Sequence, residues 1–379
     1  MCRSVKQQKK GKVKKVAKFD ISVKQIAREA LPRLIDNLVF PNLVYKENIE
    51  GSAAKQGDTV SVRCPVKLTA TEFDASTGVV AENMQKDTID VTLDHLATVD
   101  MQVGAIEAAC DFDSVVRMFI EPAAAALAEK INAEGLALYK DIPTVAGEAG
   151  TTPAGLNEIA SASYALDMNK VPAGTRRAVW SPLATSQLKQ VPAIVNAEKC
   201  GSSSALRTGA IGKVFGIENY MSQAVCNHQT TADGLTLTLA NAANDAGSIT
   251  MNFTGEGKII KGDVLQIEGK NYVATADGTI SGSKVTVSVY PKVTASASAT
   301  VTALGSHAAN LVFHPDAFAF ITRPLQAPAG VESYVTTYNG IALRVVRGYD
   351  MKFKREMLSM DVLYAFKTIY PELAVRYMG

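Results

Sequence analysis

Between residues 57 and 103 the chain alternates apolar and polar side chains twice, with a polar stretch between the two runs. Gly57-Asp58 turns the chain, and Val60, Val62 and Cys64 then alternate with Thr59, Ser61 and Arg63. On the return side Ile89, Val91 and Leu93 alternate with Asp90, Thr92 and Asp94. A period of two gives each strand one apolar face. The segment 67–88 between them scatters Glu72, Asp74, Glu82, Lys86 and Asp87. A two-stranded ribbon is marginal in water by itself. A hairpin this long, with little of its own subunit to pack on, is therefore expected to lean on a neighbour, its tip near Asp74 to Asn83 lying on an adjacent copy.

Helical spacing frames this hairpin on both sides. Upstream, Ile21, Ile26, Ala27, Ala30, Leu31, Leu34, Ile35 and Leu38 recur every three or four residues, an amphipathic pattern that Ser22 is placed to cap. Pro32 is expected to kink or divide that helix, and 39–45 reads as extended. Downstream, Phe112, Val116, Phe119, Ala123, Leu127 and Ile131 form one apolar stripe over 111–140. Asp111 and Asp113 suit its N-terminus. Pro122 predicts a bend, or a restart after Glu121. From 156 to 226 the pattern is mixed: a helix from Leu156 to Met168, a strand at 177–180 ended by Ser181-Pro182, and a short helix from Leu183 to Lys189.

Composition changes near residue 228. Through 306 the chain is rich in Thr, Ser, Gly, Ala and Asn, with short alternating runs at 235–239, 249–253, 263–267, 271–274 and 284–289. Five or six such strands in about 80 residues predict a small antiparallel barrel or sandwich. Mixed α/β sequence resumes at Asn310, so this unit reads as an insertion with its ends close together.

Charge is unevenly spread. Residues 1–18 hold eight basic side chains (Arg3, Lys6, Lys9, Lys10, Lys12, Lys14, Lys15, Lys18) and no acid, while 19–379 carry 31 basic against 37 acidic groups, a net of −6. Such an arm suits nucleic acid or an acidic neighbouring surface. It lacks the apolar run of a secretory signal, so no export is expected. No apolar stretch reaches the ~20 residues that span a bilayer. Five Cys, at 2, 64, 110, 200 and 226, have neither an even count nor CxxC spacing. Reduced thiols in a cytosolic setting are the reading, with Cys64 and Cys110 as small core residues.

Catalytic signatures are absent from the sequence. Gly209-Ala210-Ile211-Gly212-Lys213 lacks the spacing and the hydroxyl of a phosphate loop. Gly255-Glu256-Gly257 has no third glycine and precedes a β segment. No HExxH, GxSxG or EF-hand loop occurs. His95, His228, His307 and His314 are far apart in sequence and read as surface or satisfied structural groups. Asp90, Asp94 and Asp100 read as a solvated strand face. Asn252-Phe253-Thr254 matches a glycosylation sequon, without meaning unless the chain is exported. No catalytic, cofactor-binding or metal-ligating residue is assigned, and the chain is read as a non-enzyme.

A resemblance appears at three places. The first is Leu31-Pro32-Arg33-Leu34 to Tyr45, followed by Gly57-Asp58-Thr59-Val60. The second runs from Arg207-Thr208-Gly209 through Gly216-Ile217-Glu218-Asn219-Tyr220-Met221-Ser222. The third is Leu311-Val312-Phe313-His314-Pro315-Asp316-Ala317-Phe318, then Gly340-Ile341-Ala342-Leu343-Arg344-Val345-Val346, Gly348-Tyr349-Asp350 and Asp361-Val362-Leu363-Tyr364. In this order they resemble the major capsid (coat) proteins of tailed double-stranded DNA phages, closest to those of short-tailed Salmonella-type phages with an inserted domain. The cationic leader 1–18 departs from that family's start.

The resemblance implies an α+β fold of the Hong Kong 97 phage capsid type. Residues 1–46 would be basic leader and N-arm, and 47–103 the extended loop with peripheral strands. Residues 104–150 would hold the spine helix and peripheral domain, and 151–227 the first part of the axial domain. The inserted β-barrel would be 228–306, and 307–379 would close the axial and peripheral domains. It further implies self-assembly, by way of a procapsid, as hexamers and pentamers into an icosahedral shell. That shell would be a virion capsid built in the host cytoplasm, with a scaffolding protein and portal as partners and no membrane. Packaged DNA would meet the inner face without sequence specificity. For residues 1–18, DNA contact and pairing with a neighbouring subunit both fit. The shell of a bacterial nanocompartment with the same fold is the main alternative. An enzyme with an unrecognised site and a surface adhesin are the other classes.

Overall fold

The computed structural model describes residues 22–46, 54–63, 88–103, 115–196, 208–232, 235–352 and 355–379. They form a mixed α+β body and a closed β-barrel, and each has an apolar core of its own. The leader 1–18, the hairpin tip, Asp111, Asp113, Cys2, Cys64, Cys110 and Cys200 lie outside the described residues.

The helix Val23–Asn37 begins as the sequence predicts. The Ser22 hydroxyl accepts from the Gln25 amide at 3.3 Å, and Gln25 Oε1 accepts from the Ser22 amide at 3.2 Å, a reciprocal capping box. The helix runs on through Pro32 as one element. Its apolar face, from Val23 to Ile35, is buried against the helix Glu121–Leu136 and two strands of the body, and that burial outweighs the one hydrogen bond a proline removes. The following segment is extended only at its end, from Val44 into the strand Tyr45–Lys46. Phe40–Leu43 is a helical turn, because Pro41 is tolerated at a helix start and buried Asn132 accepts from the Val39 and Phe40 amides at 3.0 and 3.1 Å.

Pro122 neither ends nor restarts the long helix. Val116–Ile120 widens to π-helical pairing just before it, Glu121–Leu136 continues as α-helix, and Ala137–Asp141 tightens to 3-10. A π turn is one way a helix absorbs a missing donor. Gly135 sits where a Cβ would overlap the Phe40 ring. Phe40 in turn packs against Phe313, Phe318 and Phe366, with ring centroids 5.5–5.9 Å away.

Two sheets complete the body. In the first, Tyr45–Lys46, Phe318–Arg323, Arg355–Thr368, Ile341–Asp350 and Glu332–Tyr338 follow in that order, and His95–Val103 pairs with the other side of Arg355–Thr368. In the second, His307–Phe313 is central, flanked by Ala374–Met378 and Arg176–Trp180; Ile217–Met221 and Gly212–Val214 extend it.

The hairpin differs from expectation in two ways. Thr59–Arg63 and Thr88–Thr92 do pair, with Val60 opposite Val91 and Val62 opposite Ile89. At Leu93, however, the return strand leaves the ribbon, and His95–Val103 joins the first sheet. The root also packs within its own subunit: Val62, Val91 and Leu93 are buried with Ala319, Ile321, Leu363 and Ala365. The alternating apolar face finds its partner on the outer face of that sheet.

The Thr- and Ser-rich segment forms seven strands, at 236–239, 243–254, 264–267, 270–274, 279–281, 284–295 and 300–303. Six of them close a ring, because Ala243–Thr254 pairs with both Thr236–Leu239 and Lys284–Ala295. Closure leaves no open edge. The ring is filled by Leu237, Leu239, Ile249, Met251, Leu265, Val287 and their neighbours. The barrel grows from one strand pair, in which His228 lies opposite His307 and Asn227 opposite Ala308.

Candidate functional site: exposed apolar edges and the barrel seam

Among the described residues the body exposes large apolar side chains at several places, Met118, Tyr164, Met168 and Leu183 included, and two of these places are hairpins in different sheets. One is the hairpin formed by Gly212–Val214 and Ile217–Met221. Its turn holds Phe215 at φ 48° and Gly216 at φ 78°. Phe215 is 55% exposed, and Tyr220 and Met221 at the far end of the hairpin are also open. A bulky residue in the left-handed region is a backbone outlier, and such strain persists where something else depends on it. The other surface is one end of the hairpin Glu332–Tyr338/Ile341–Asp350, where Val331, Tyr349 and Met351 are exposed. Single exposed apolar residues are ordinary; clusters of them mark contact surfaces.

A polar cluster is buried where the barrel meets the body. His228 Nε2–H donates to Asp263 Oδ1 at 2.8 Å, and His228 Nδ1 faces the Tyr139 hydroxyl at 3.0 Å. Asp263 comes from the barrel and Tyr139 from the 3-10 turn of the body. Both terminal guanidinium nitrogens of Arg376, Nη1 and Nη2, donate to the barrel's Gly262 carbonyl at 2.7 Å, and the group lies 4.6 Å from the Tyr139 ring centre. Burial lowers the Arg376 pKa to about 10, and burial also raises that of Tyr139. Gly262 has φ 97°, and a Cβ there would press on Lys140 Cγ at 2.8 Å, so only glycine allows this approach.

The four histidines divide accordingly. His228 and His307 are brought together, with ring centroids 5.4 Å apart. Sequence reasoning missed this pair, which is separated by the whole barrel; the only signal was that the composition changes at those two places. His95 stacks on Tyr364 and faces Glu134 at 3.2 Å. The Tyr364 hydroxyl donates to the same carboxylate, and burial raises its pKa. His314 lies 2.8 Å from the Thr175 hydroxyl. Asp90, Asp94 and Asp100 are exposed, and Ser61 donates to Asp90 at 2.5 Å. Cys226 is half-buried, and burial raises the pKa of its thiol. Among the described residues no group of three or more His, Cys, Asp or Glu is placed to hold a metal ion. No described helix is long and apolar enough to cross a membrane.

No family model and no curated protein sequence matches the chain. Solved structures similar to it include one from Mycobacterium phage Che8, at 16% identity and TM-score 0.49, covering 90% of each chain. Another is the capsid of cyanophage P-SCSP1u, at 13% identity and TM-score 0.47, covering 90% of this chain and 88% of that one. A third is a virus-like particle from Pyrococcus furiosus, at 9% identity and TM-score 0.41, covering 93% and 98%.

Proposed function

We propose that this chain is the major capsid protein of a tailed double-stranded DNA phage, building an icosahedral shell from hexamers and pentamers. The observation that carries the reading is the pair of unlike apolar surfaces on one subunit. A two-fold dimer needs one self-complementary patch, whereas two different patches fit head-to-tail contacts that close rings. The hairpin around Phe215 and the end bearing Val331, Tyr349 and Met351 belong to different sheets, so they are distinct patches.

The sequence resemblance supports the same reading. Its segments 311–318, 340–350 and 361–364 fall on central strands of the two sheets, and 212–221 forms the exposed hairpin. In this proposal 1–46 is leader and N-arm, 47–103 the extended loop, and 104–150 the spine. The axial and peripheral domains use 151–227 and 307–379, and the barrel 228–306 is the insertion. Scaffold, portal and packaged DNA are its partners, in a shell first formed as a procapsid in the host cytoplasm. A nanocompartment shell would use the same contacts around a protein cargo.

Expression with a scaffolding protein, followed by sedimentation and electron microscopy, tests this. Closed spherical particles are expected. A chain that stays monomeric at every salt, concentration and scaffold condition would remove the proposal. Nucleic acid inside the particles favours the phage reading, and a single enriched enzyme favours the nanocompartment.

A further inference from the structure

Among the titratable groups of the seam that neither core uses for packing, His307 alone has an unpartnered ring nitrogen among the described residues. His307 is 5% exposed, donates from Nδ1 to the Gly305 carbonyl at 2.7 Å, and has no hydrogen-bond partner for Nε2 among the described residues. From the body it feels the charge of Arg376, fully buried and lacking, among the described residues, a partner for Nε. Tyr139, Lys140 and Asp141 lie on the same side, on the 3-10 turn, and Asp141 approaches Lys261 of the barrel at 3.9 Å. From the linking strand it faces His228, with Cys226 nearby. From the barrel comes Asp263, fully buried and already engaged by His228 and by the Ile260 amide.

The fully buried charges are matched as they stand, the Arg376 guanidinium against the Asp263 carboxylate, while Lys140 and Asp141 are only partly buried and Lys261 is exposed. A proton on Nε2 would add a second buried cation beside Arg376, with an N–H that has no acceptor. Uncompensated buried charge is among the costliest changes a structure can suffer. We propose that the seam is an acid-released latch, in which protonation of His307 frees the barrel from the body while each keeps its own core. The two cores share no residue, so the parts can separate without either unfolding. The strand pair at 227–228 and 307–308 is the tether that remains.

The direction follows from linkage. Burial and Arg376 lower the His307 pKa from 6.5 to about 4. A base held below its free value contributes stability that is whole above pH 6.5 and is lost as pH falls toward 4. Opening of the seam should rise by up to about tenfold per pH unit across that window.

Hydrogen exchange on the full chain, corrected for intrinsic rates, tests the latch at pH 7 and pH 4.5. Peptides over 229–232, 304–306 and 137–141 are expected to lose protection by more than tenfold at the lower pH, while the tether pair 227–228/307–308 and 284–289 inside the barrel stay protected. His307→Gln keeps a donor for Gly305 but does not titrate, and should abolish the pH response. Loss of protection at the seam and the barrel interior together, or an undiminished response in His307→Gln, overturns the latch. If that variant does not fold, NMR titration of the native imidazole decides: a pKa near 4 supports the proposal, and one near 6.5 refutes it.

Discussion

Replacing Phe215 by glycine separates what a subunit needs from what an assembly needs. The residue is exposed and sits at φ 48°. A left-handed conformation costs a non-glycine residue ~1–2 kcal/mol, and Phe215→Gly relieves it. Glycine returns ~0.5–1 kcal/mol through the greater freedom of the unfolded chain. The isolated subunit should therefore be unchanged or stabilised by up to about 1.5 kcal/mol in urea unfolding. The assembled state is different. A phenylalanine offers roughly 150–250 Å² for burial, of which about half is still open here. Covering ~100 Å² by a neighbour contributes roughly 2.5 kcal/mol per contact at ~25 cal/mol per Å². At ~1.4 kcal/mol per factor of ten, the critical concentration for assembly should rise between tenfold and a hundredfold. Light scattering against subunit concentration reads this directly. A variant that assembles at the native concentration while its subunit loses more than 1 kcal/mol would refute the argument, placing the role of Phe215 inside the fold.

Three further outcomes are expected. Gly135→Ala forces a methyl into the Phe40 ring and should lower subunit stability by roughly 1–3 kcal/mol in urea unfolding, as overpacking does; an unchanged midpoint would mean the aromatic cluster yields freely. The excised fragment 228–306 should fold alone, since its ring closes on itself; circular dichroism of a random coil would reject autonomy. Removing 1–18 should lower the thermal stability of assembled particles while their DNA content stays near normal, if those eight positive charges pair with a neighbouring subunit; stable filled particles from the truncated chain would rule that pairing out.

Local pattern was legible where one face decides the outcome. The Ser22 cap, the stripe from Val116 to Ile131 and the alternating barrel strands all follow from spacing alone. What escaped depends on partners distant in sequence. The turn at Phe40–Leu43 exists because Asn132, over ninety residues on, takes its amides. The ribbon root is buried because Ile321 and Leu363 offer it a surface. The strands at 279–281 and 300–303 are too short to carry a readable period, and only their pairing defines them. The seam is the clearest case: His228, Asp263, His307 and Arg376 share no local pattern, and only the closing of the barrel onto the body brings them together.

That the barrel leaves and re-enters the body through adjacent backbone at His228 and His307 makes it a removable part. A short turn joining those two positions would restore a plain hairpin and leave the central strand His307–Phe313 and its neighbours uncut. The barrel could therefore be cut out or grafted as one piece without redesigning the frame. The residue left to adapt would be Arg376, which would lose its Gly262 cover and recover water in exchange. The mark of such a cut would be a lone arginine on the strand Ala374–Met378, facing solvent beside an uncovered tyrosine.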